Sequence, residues 1–512
     1  MLALAPMSLA SAVAAAPREV SGLDDASLAE ALKTATDRAE PQYCDELAPL
    51  WKETLRRAAP PAPQAMLESG SADLWCAISE KRYQDASAAI RLTESKLGRQ
   101  PRFDRIALSL NAYMLELETA VARVDQIAQA DGGEGLVTIP PDVIYEISRK
   151  LVAAKRSDLK LALWSSIYAA RSFNRLDRDI VGGTGINLLQ GKADAGLLSD
   201  KDGDLADMVT NASAYSALLA QKRYAPLWPH LEARAGDNLA EILALDRDIT
   251  ASRLKEEPRM TRRFADAIYS MLQSGEHELL VKATEAFRDD GTDYDEIDEQ
   301  IAWGINSMAI ALRASGQPDE GLKALDRLAS LDPERHSWVV NFAINHAAAL
   351  AGETRHEEAL KSYERALPIA QKQGSPYARA IITGQRACSL QALGRTAEAA
   401  AALKVLEDTR ADAPSRSIEF AICAGREDLA IAWALEALAD ETHRWSAVAT
   451  LQPRYMDDTP EAWNDPEPHL LLAKSPELAA AFNTVARVVP ERFAPLGGKS
   501  RTGPKPADAP AS

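Results

Sequence analysis

Thr354-Arg355-His356-Glu357-Glu358-Ala359-Leu360-Lys361-Ser362-Tyr363-Glu364-Arg365-Ala366 is the stretch on which the fold turns. A turn residue, Thr354, is followed five positions on by a small residue, Ala359, and then by a bulky one, Tyr363. The same order recurs on either side: Gly316, Gly321 and Leu325, closing with Asp332-Pro333; Gly394, Ala399 and Leu403; Gly425, Ala430 and Ala434. The small positions lie 38 (321 to 359), 40 (359 to 399) and 31 (399 to 430) residues apart. A glycine that ends a helix takes a left-handed conformation other residues resist. A small residue one turn into the next helix lets the two helices approach. The pattern therefore predicts helical hairpins in series from about Asp298 to Asp440.

Outward from there, Ala, Leu, Glu, Arg, Lys and Gln dominate, with apolar residues at helical spacing and Pro and Gly mostly between segments. Leu136-Val137-Thr138-Ile139 reads as loop, too short to carry a sheet. The N-terminal half holds fainter copies of the hairpin: Leu74-Trp75 into Lys81-Arg82-Tyr83, Leu163-Trp164 into Ala169-Ala170-Arg171-Ser172-Phe173, and Leu218-Leu219-Ala220 into Lys222-Arg223-Tyr224. The expected organisation is a signal-like segment (1–20), a degenerate helical-repeat region (21–290), clear repeats (291–451), a capping region (452–496) with a helix from Pro476 to Val488, and a disordered tail (497–512).

This series resembles the tetratricopeptide repeat, whose period is about 34 residues. It departs from that pattern where Thr354 replaces the turn glycine, Gly321 replaces alanine, and His346 and Arg386 occupy usually apolar positions. The resemblance implies an all-α solenoid of stacked antiparallel hairpins whose first helices line a surface that holds a protein or peptide partner. Carried over by register, that surface would present Trp303, Asn306 and Arg313, then Asn341 and Asn345, then Gln385 and Gln391. Side-chain amides can serve a peptide backbone as donor and acceptor, and a guanidinium can fork onto a carboxylate.

The net charge of −17 and pI near 5.1 disfavour nucleic acid and anionic lipid as partners, since both call for a basic face. No stretch beyond the N-terminus reaches the ~20 apolar residues of a membrane span. Leu2 to Ala16 is uncharged and rich in small residues, and Ala12-Val13-Ala14 fits a signal-peptidase site, although no basic residue precedes Arg18. The expectation is export to a bacterial periplasm or beyond, and otherwise a cytoplasmic protein. The cysteines fall into two groups, Cys44 with Cys76 and Cys388 with Cys423, without CxxC spacing. They read as two disulfides between neighbouring helices or as buried thiols.

Catalytic signatures are sparse. Asp200, Asp202, Asp204 and Asp207 imitate the start of a calcium loop, but Leu205 and Asn211 stand where glycine and a bidentate glutamate are needed, so the segment reads as an exposed acidic helix cap. Gly182-Gly183-Thr184-Gly185 lacks the Lys-Ser/Thr pair of a phosphate loop and reads as a flexible interhelical turn. Ser252-Arg253-Leu254-Lys255 matches Ser-x-x-Lys without partner motifs. His230, His277, His336, His346, His356, His443 and His469 form no zinc-binding pair. The tryptophans, Trp75, Trp164, Trp303, Trp338 and Trp433 among them, read as interhelical packing or as binding anchors. No cofactor is expected. The leading function is a non-catalytic binding scaffold; the competitors are a cytosolic peptide sensor and an enzyme with a cryptic site around Ser252 or Asp202.

Overall fold

The computed structural model describes residues 20–38, 42–58, 60–256, 268, 271–272, 277–285, 294–453 and 466–493. The signal-like segment and the tail from Gly497 lie outside them. Two compact units divide the chain, Met1–Gly191 and Lys192–Ser512. The second unit takes in helices that precede the repeats. Among the described residues the structure is helical, with no strand beyond an isolated bridge between Gln221 and Ala486.

In the first unit run α1 (Asp25–Thr36), α2 (Ala48–Arg57), α3 (Pro63–Ser79), α4 (Tyr83–Leu97), α5 (Asp104–Tyr113), α6 (Leu117–Gln129), the single turn α7 (Glu134–Val137), α8 (Pro141–Ala153), α9 (Ser157–Ala169) and α10 (Arg178–Asp194). The pairs α3–α4, α5–α6 and α8–α9 are hairpins, and α6 also packs on α9. Leu136 and Val137, expected in a loop, close the turn α7. The Gly182–Gly185 run, expected as an interhelical turn, lies inside α10. Its glycine serves close packing: a Cβ on Gly183 would stand 2.0 Å from the Tyr145 hydroxyl of α8. Trp164 of α9 is fully buried, stacked near Tyr145 with its indole N–H donating to Ser148 Oγ at 3.2 Å.

The second unit opens with α11 (Gly203–Asp207), α12 (Ala212–Ala220), α13 (Trp228–Ala235), α14 (Ala240–Glu256) and α15 (His277–Ala283). The repeats follow: α16 (Glu299–Ala314) with α17 (Pro318–Ala329), α18 (Val339–Gly352) with α19 (His356–Gln373), α20 (Pro376–Ala392) with α21 (Thr396–Thr409), and α22 (Pro414–Cys423) with α23 (Glu427–Ala439). Each of these helices packs on the next, and the first helix α20 packs on both α18 and α22. A Cβ on Gly384 of α20 would fall 1.9 Å from the Phe420 ring of α22, so this glycine admits the neighbouring hairpin's aromatic side chain. Gly321 replaces alanine because a Cβ there would sit 2.5 Å from the Ala309 carbonyl. After α24 (Arg444–Thr450) and α25 (Leu471–Lys474), α26 (Pro476–Val485) packs on α23. The chain then docks on α12 and α13: the Arg487 amide donates to Ala220 O at 2.8 Å, and its guanidinium lies 3.6 Å over the Trp228 ring and 2.8 Å from Glu232.

One turn builds the hairpins of both units. The second residue after the first helix is left-handed: Lys81 (φ 59), Leu115 (φ 60) and Lys155 (φ 56), then Gly316 (φ 79), Thr354 (φ 61), Gly394 (φ 72) and Gly425 (φ 77). The following amide reaches five residues back, from Arg82 to Ala77 O, Glu116 to Asn111 O, Arg156 to Leu151 O, Gln317 to Leu312 O, Arg355 to Leu350 O, Arg395 to Leu390 O and Arg426 to Ala421 O, all at 2.8–2.9 Å. This bond satisfies a carbonyl the helix end would otherwise orphan. Ala86, Ala120, Ala359, Ala399 and Ala430 fill the contact five residues beyond the left-handed position, each nearly or wholly buried.

Candidate functional site

The first-helix face of α16, α18 and α20 carries the residues expected to hold a partner. Asn345 and Gln385 both stand nine residues before their left-handed turn residues, Thr354 and Gly394. They therefore occupy one position of successive hairpins. Asn345 Nδ2 donates to Asn306 Oδ1 at 2.9 Å, joining α18 to α16. Asn341 and Asn345 are half-buried. The carbonyl oxygen of Gln385 is buried without a hydrogen-bond partner, and so is that of Gln391. Gln391 stands apart from this row, with its amide near Gly425 in the next turn. Half-buried Trp303 stacks on Phe342 at 4.9 Å, and Trp338 meets the same ring at 5.5 Å.

Arg313 is not placed to fork onto an incoming carboxylate. Its side chain is 0% exposed. Nε donates to Glu353 at 2.8 Å and a terminal nitrogen donates to Ala349 O at 3.1 Å. Burial pushes its pKa down, opposed by the Glu353 carboxylate. The glutamate of the next hairpin covers it. His346, at a usually apolar position, is buried against Ser362 Oγ at 3.0 Å, with Asp326 3.8 Å away. Burial lowers its pKa and outweighs Asp326.

The cysteines are paired. Cys388 and Cys423 join α20 to α22 with Cα atoms 5.3 Å apart, and Cys44 and Cys76 join the Tyr43–Leu47 turn to α3 with Cα atoms 4.7 Å apart. Among the described residues, Cys44, Cys76 and Glu80 form the group with metal-ligand proximity. Its sulfurs are taken up in the disulfide and Glu80 pairs with Arg82 at 2.7 Å, so the donor set does not suit a metal. The acidic stretch is no calcium loop. Asp202, expected to be exposed, is 8% exposed; it caps its turn through the Ser199 amide and pairs with Lys192. Burial raises its pKa, but Lys192 and the Ser199 amide outweigh this and hold it below the ordinary value. Asp207 faces away to His230 at 2.8 Å. Ser252 and Lys255 belong to α14, but their side chains lie outside what the structure describes.

A ladder of arginines at the hairpin turns was missed. Arg355 forks onto Glu358 and reaches back 3.3 Å to Asp319 of the preceding hairpin. Arg395 repeats this with Glu398 and, at 3.9 Å, Glu357. Arg156 does so with Asp158 and Glu118. Asp319, Glu357 and Glu118 each lie two residues after the first residue beyond their own turn. Pairs this exposed add little stability. The readable signal was the repeated Arg-x-x-Glu at 355–358 and 395–398.

No family model matches the chain, and no curated protein matches it. Solved structures are similar to it, two of which follow. A crystal structure of the APC/C hetero-tetramer Cut9-Hcn1 is 14% identical, with 82% of this chain and 91% of that chain covered and a TM-score of 0.27. A circular tandem repeat protein with novel repeat topology is 12% identical, with 86% of each chain covered and a TM-score of 0.13. Superpositions this loose add nothing to the stacking seen directly between the helices. On that stacking and its repeated turn, the chain is a helical-repeat protein of stacked hairpins.

Proposed function

We propose that this protein is a non-catalytic scaffold that holds a protein or peptide partner along the first-helix face of α16, α18 and α20. The row of amides from Asn306 through Asn345 to Gln385, with Trp303 beside it, carries the reading. Side-chain amides on successive hairpins can serve an extended backbone as donors and acceptors. The scaffold works outside the cytoplasm: the signal-like segment at Leu2 to Ala16 and the pairing of all four cysteines both support an oxidising compartment. A cytosolic peptide sensor would share the amide row but not the oxidised cysteines.

Affinity capture of the tagged chain from its native cell, with mass spectrometry of the mature N-terminus and the thiols, tests both parts. The expected result is an envelope partner, a chain cleaved near Ala14 and no free thiol. The double variant Asn345→Ala, Gln385→Ala is expected to recover at least about tenfold less partner at unchanged helicity. Undiminished recovery removes the amide row from the reading, and an intact N-terminus with reduced cysteines returns the protein to the cytoplasm.

A further inference from the structure

The first unit carries a cleft of its own. The C-terminal ends of α6 and α9 converge on a cleft of about 370 Å³ lined by Asp125, Ala128, Gln129, Gly132, Ala169 and Arg171. That size lies near the lower limit of small-molecule pockets, roughly 300–1,000 Å³, and is too small for a folded partner. The walls are held in place. Ser166 Oγ of α9 donates to Asp125 Oδ1 of α6 at 2.8 Å, and Gln129 Nε2 donates to the other carboxylate oxygen at 2.6 Å. The Ser172 amide and hydroxyl bond Gly132 O and Gly133 O at 2.9 and 2.7 Å, pinning the turn after α6 to the one after α9. Gly132 takes a left-handed backbone (φ 71), and the Arg171 stem lies in ordinary contact beside it, with Cβ and Cδ 3.5 Å from where a Cβ would stand.

Two residues of opposite charge line the cleft. The Asp125 carboxylate is met by the neutral donors Ser166 and Gln129, and the carbonyl ends of α6 and α9 also favour a cation. Arg171 is exposed and, among the described residues, pairs with no carboxylate. Two opposite charges share a small cleft without neutralising each other. We propose that this cleft binds a small zwitterion of the α-amino-acid type, with its ammonium toward Asp125 and its carboxylate forked by Arg171. Ala128, Ala169 and Gly132 leave the floor free for a modest side chain.

Titration calorimetry of the full chain with glycine, L-alanine, L-leucine and L-glutamate tests this. At least one should bind saturably, and its N-acetyl and methyl-ester forms should each bind at least about tenfold more weakly, because each removes one charge-assisted contact. Arg171→Gln changes an exposed side chain and should cost a similar factor at unchanged helicity; Asp125→Asn should weaken binding while keeping an oxygen for Ser166. The assignment is overturned if no free amino acid saturates the protein, if blocked forms bind as well as free ones, or if both variants bind like the parent.

Discussion

The hairpins of the two units are made by the same turn but stabilised differently. In the first unit the left-handed position is held by Lys81, Leu115 and Lys155, and α4, α5 and α6 are joined by buried charge. Arg123 donates to Glu94 at 2.7 and 2.9 Å and to Asp104 at 3.1 Å, and Arg99 reaches the far oxygen of Asp104, which is 2% exposed. In the second unit three of the four turns between α16 and α23 have glycine at that position, and α16 and α18 are joined by neutral amides. A fold of this kind asks only that the turn close and the neighbouring helices have something to share, whether a charge network or an amide pair.

The largest expected difference follows from that contrast. Arg123→Met strands Glu94 and half of Asp104 in a buried site and should cost about 3–5 kcal/mol, as breaking a buried ion network does. Asn345→Ala removes one neutral hydrogen bond and should cost about 1 kcal/mol. Chemical denaturation followed by hydrogen exchange in the peptides of each unit separates the two effects. Equal losses would mean that the charge network is no more than a surface decoration.

The turns give a smaller effect with opposite signs. Gly394→Ala forces a Cβ into a left-handed residue with φ of 72 and should destabilise by roughly 1 kcal/mol. Lys155→Gly relieves the same strain and, after the entropy glycine costs in the unfolded chain, should stabilise by up to about 1 kcal/mol. Thermal melts of the two variants decide the matter. If both move the same way, backbone conformation is not what distinguishes the two sets of turns.

The same contrast explains what could be read beforehand. Gly316, Gly394 and Gly425 announce a left-handed turn by residue type, so the second unit's hairpins were legible. Lys81, Leu115 and Lys155 adopt the same conformation without announcing it, and of these turns only the one at Lys81-Arg82-Tyr83 was visible in the sequence. Glycine misled at Gly182–Gly185 because it serves turns and close approaches alike, and only the partner, Tyr145, distinguishes them. At the candidate site, helical register placed Asn306 and Asn345 on facing helices. It could not say that Glu353, a full hairpin away in sequence, covers Arg313.

The smallest expected effect concerns acid. All seven histidines lie beyond residue 191, so mild acid can load imidazoles only in the second unit. His346 and His356 are each held below the ordinary value of 6.5 by burial. The unfolded chain therefore takes up protons at a pH where the folded one does not. Their contribution is whole above about pH 6.5 and declines as pH falls from there toward the folded values, by on the order of 1 kcal/mol. Asp104 works in the opposite sense. Burial raises its pKa despite Arg123 and Arg99, so the folded form binds that proton more readily and mild acid costs the first unit nothing through it. Hydrogen exchange at pH 7.5 and 5.5 should show faster opening of α18 and α19 with α5 and α6 unchanged, and His346→Gln should remove most of the change. Equal loosening in both units, or a variant that keeps the full pH response, would place the sensitivity elsewhere than in these buried imidazoles.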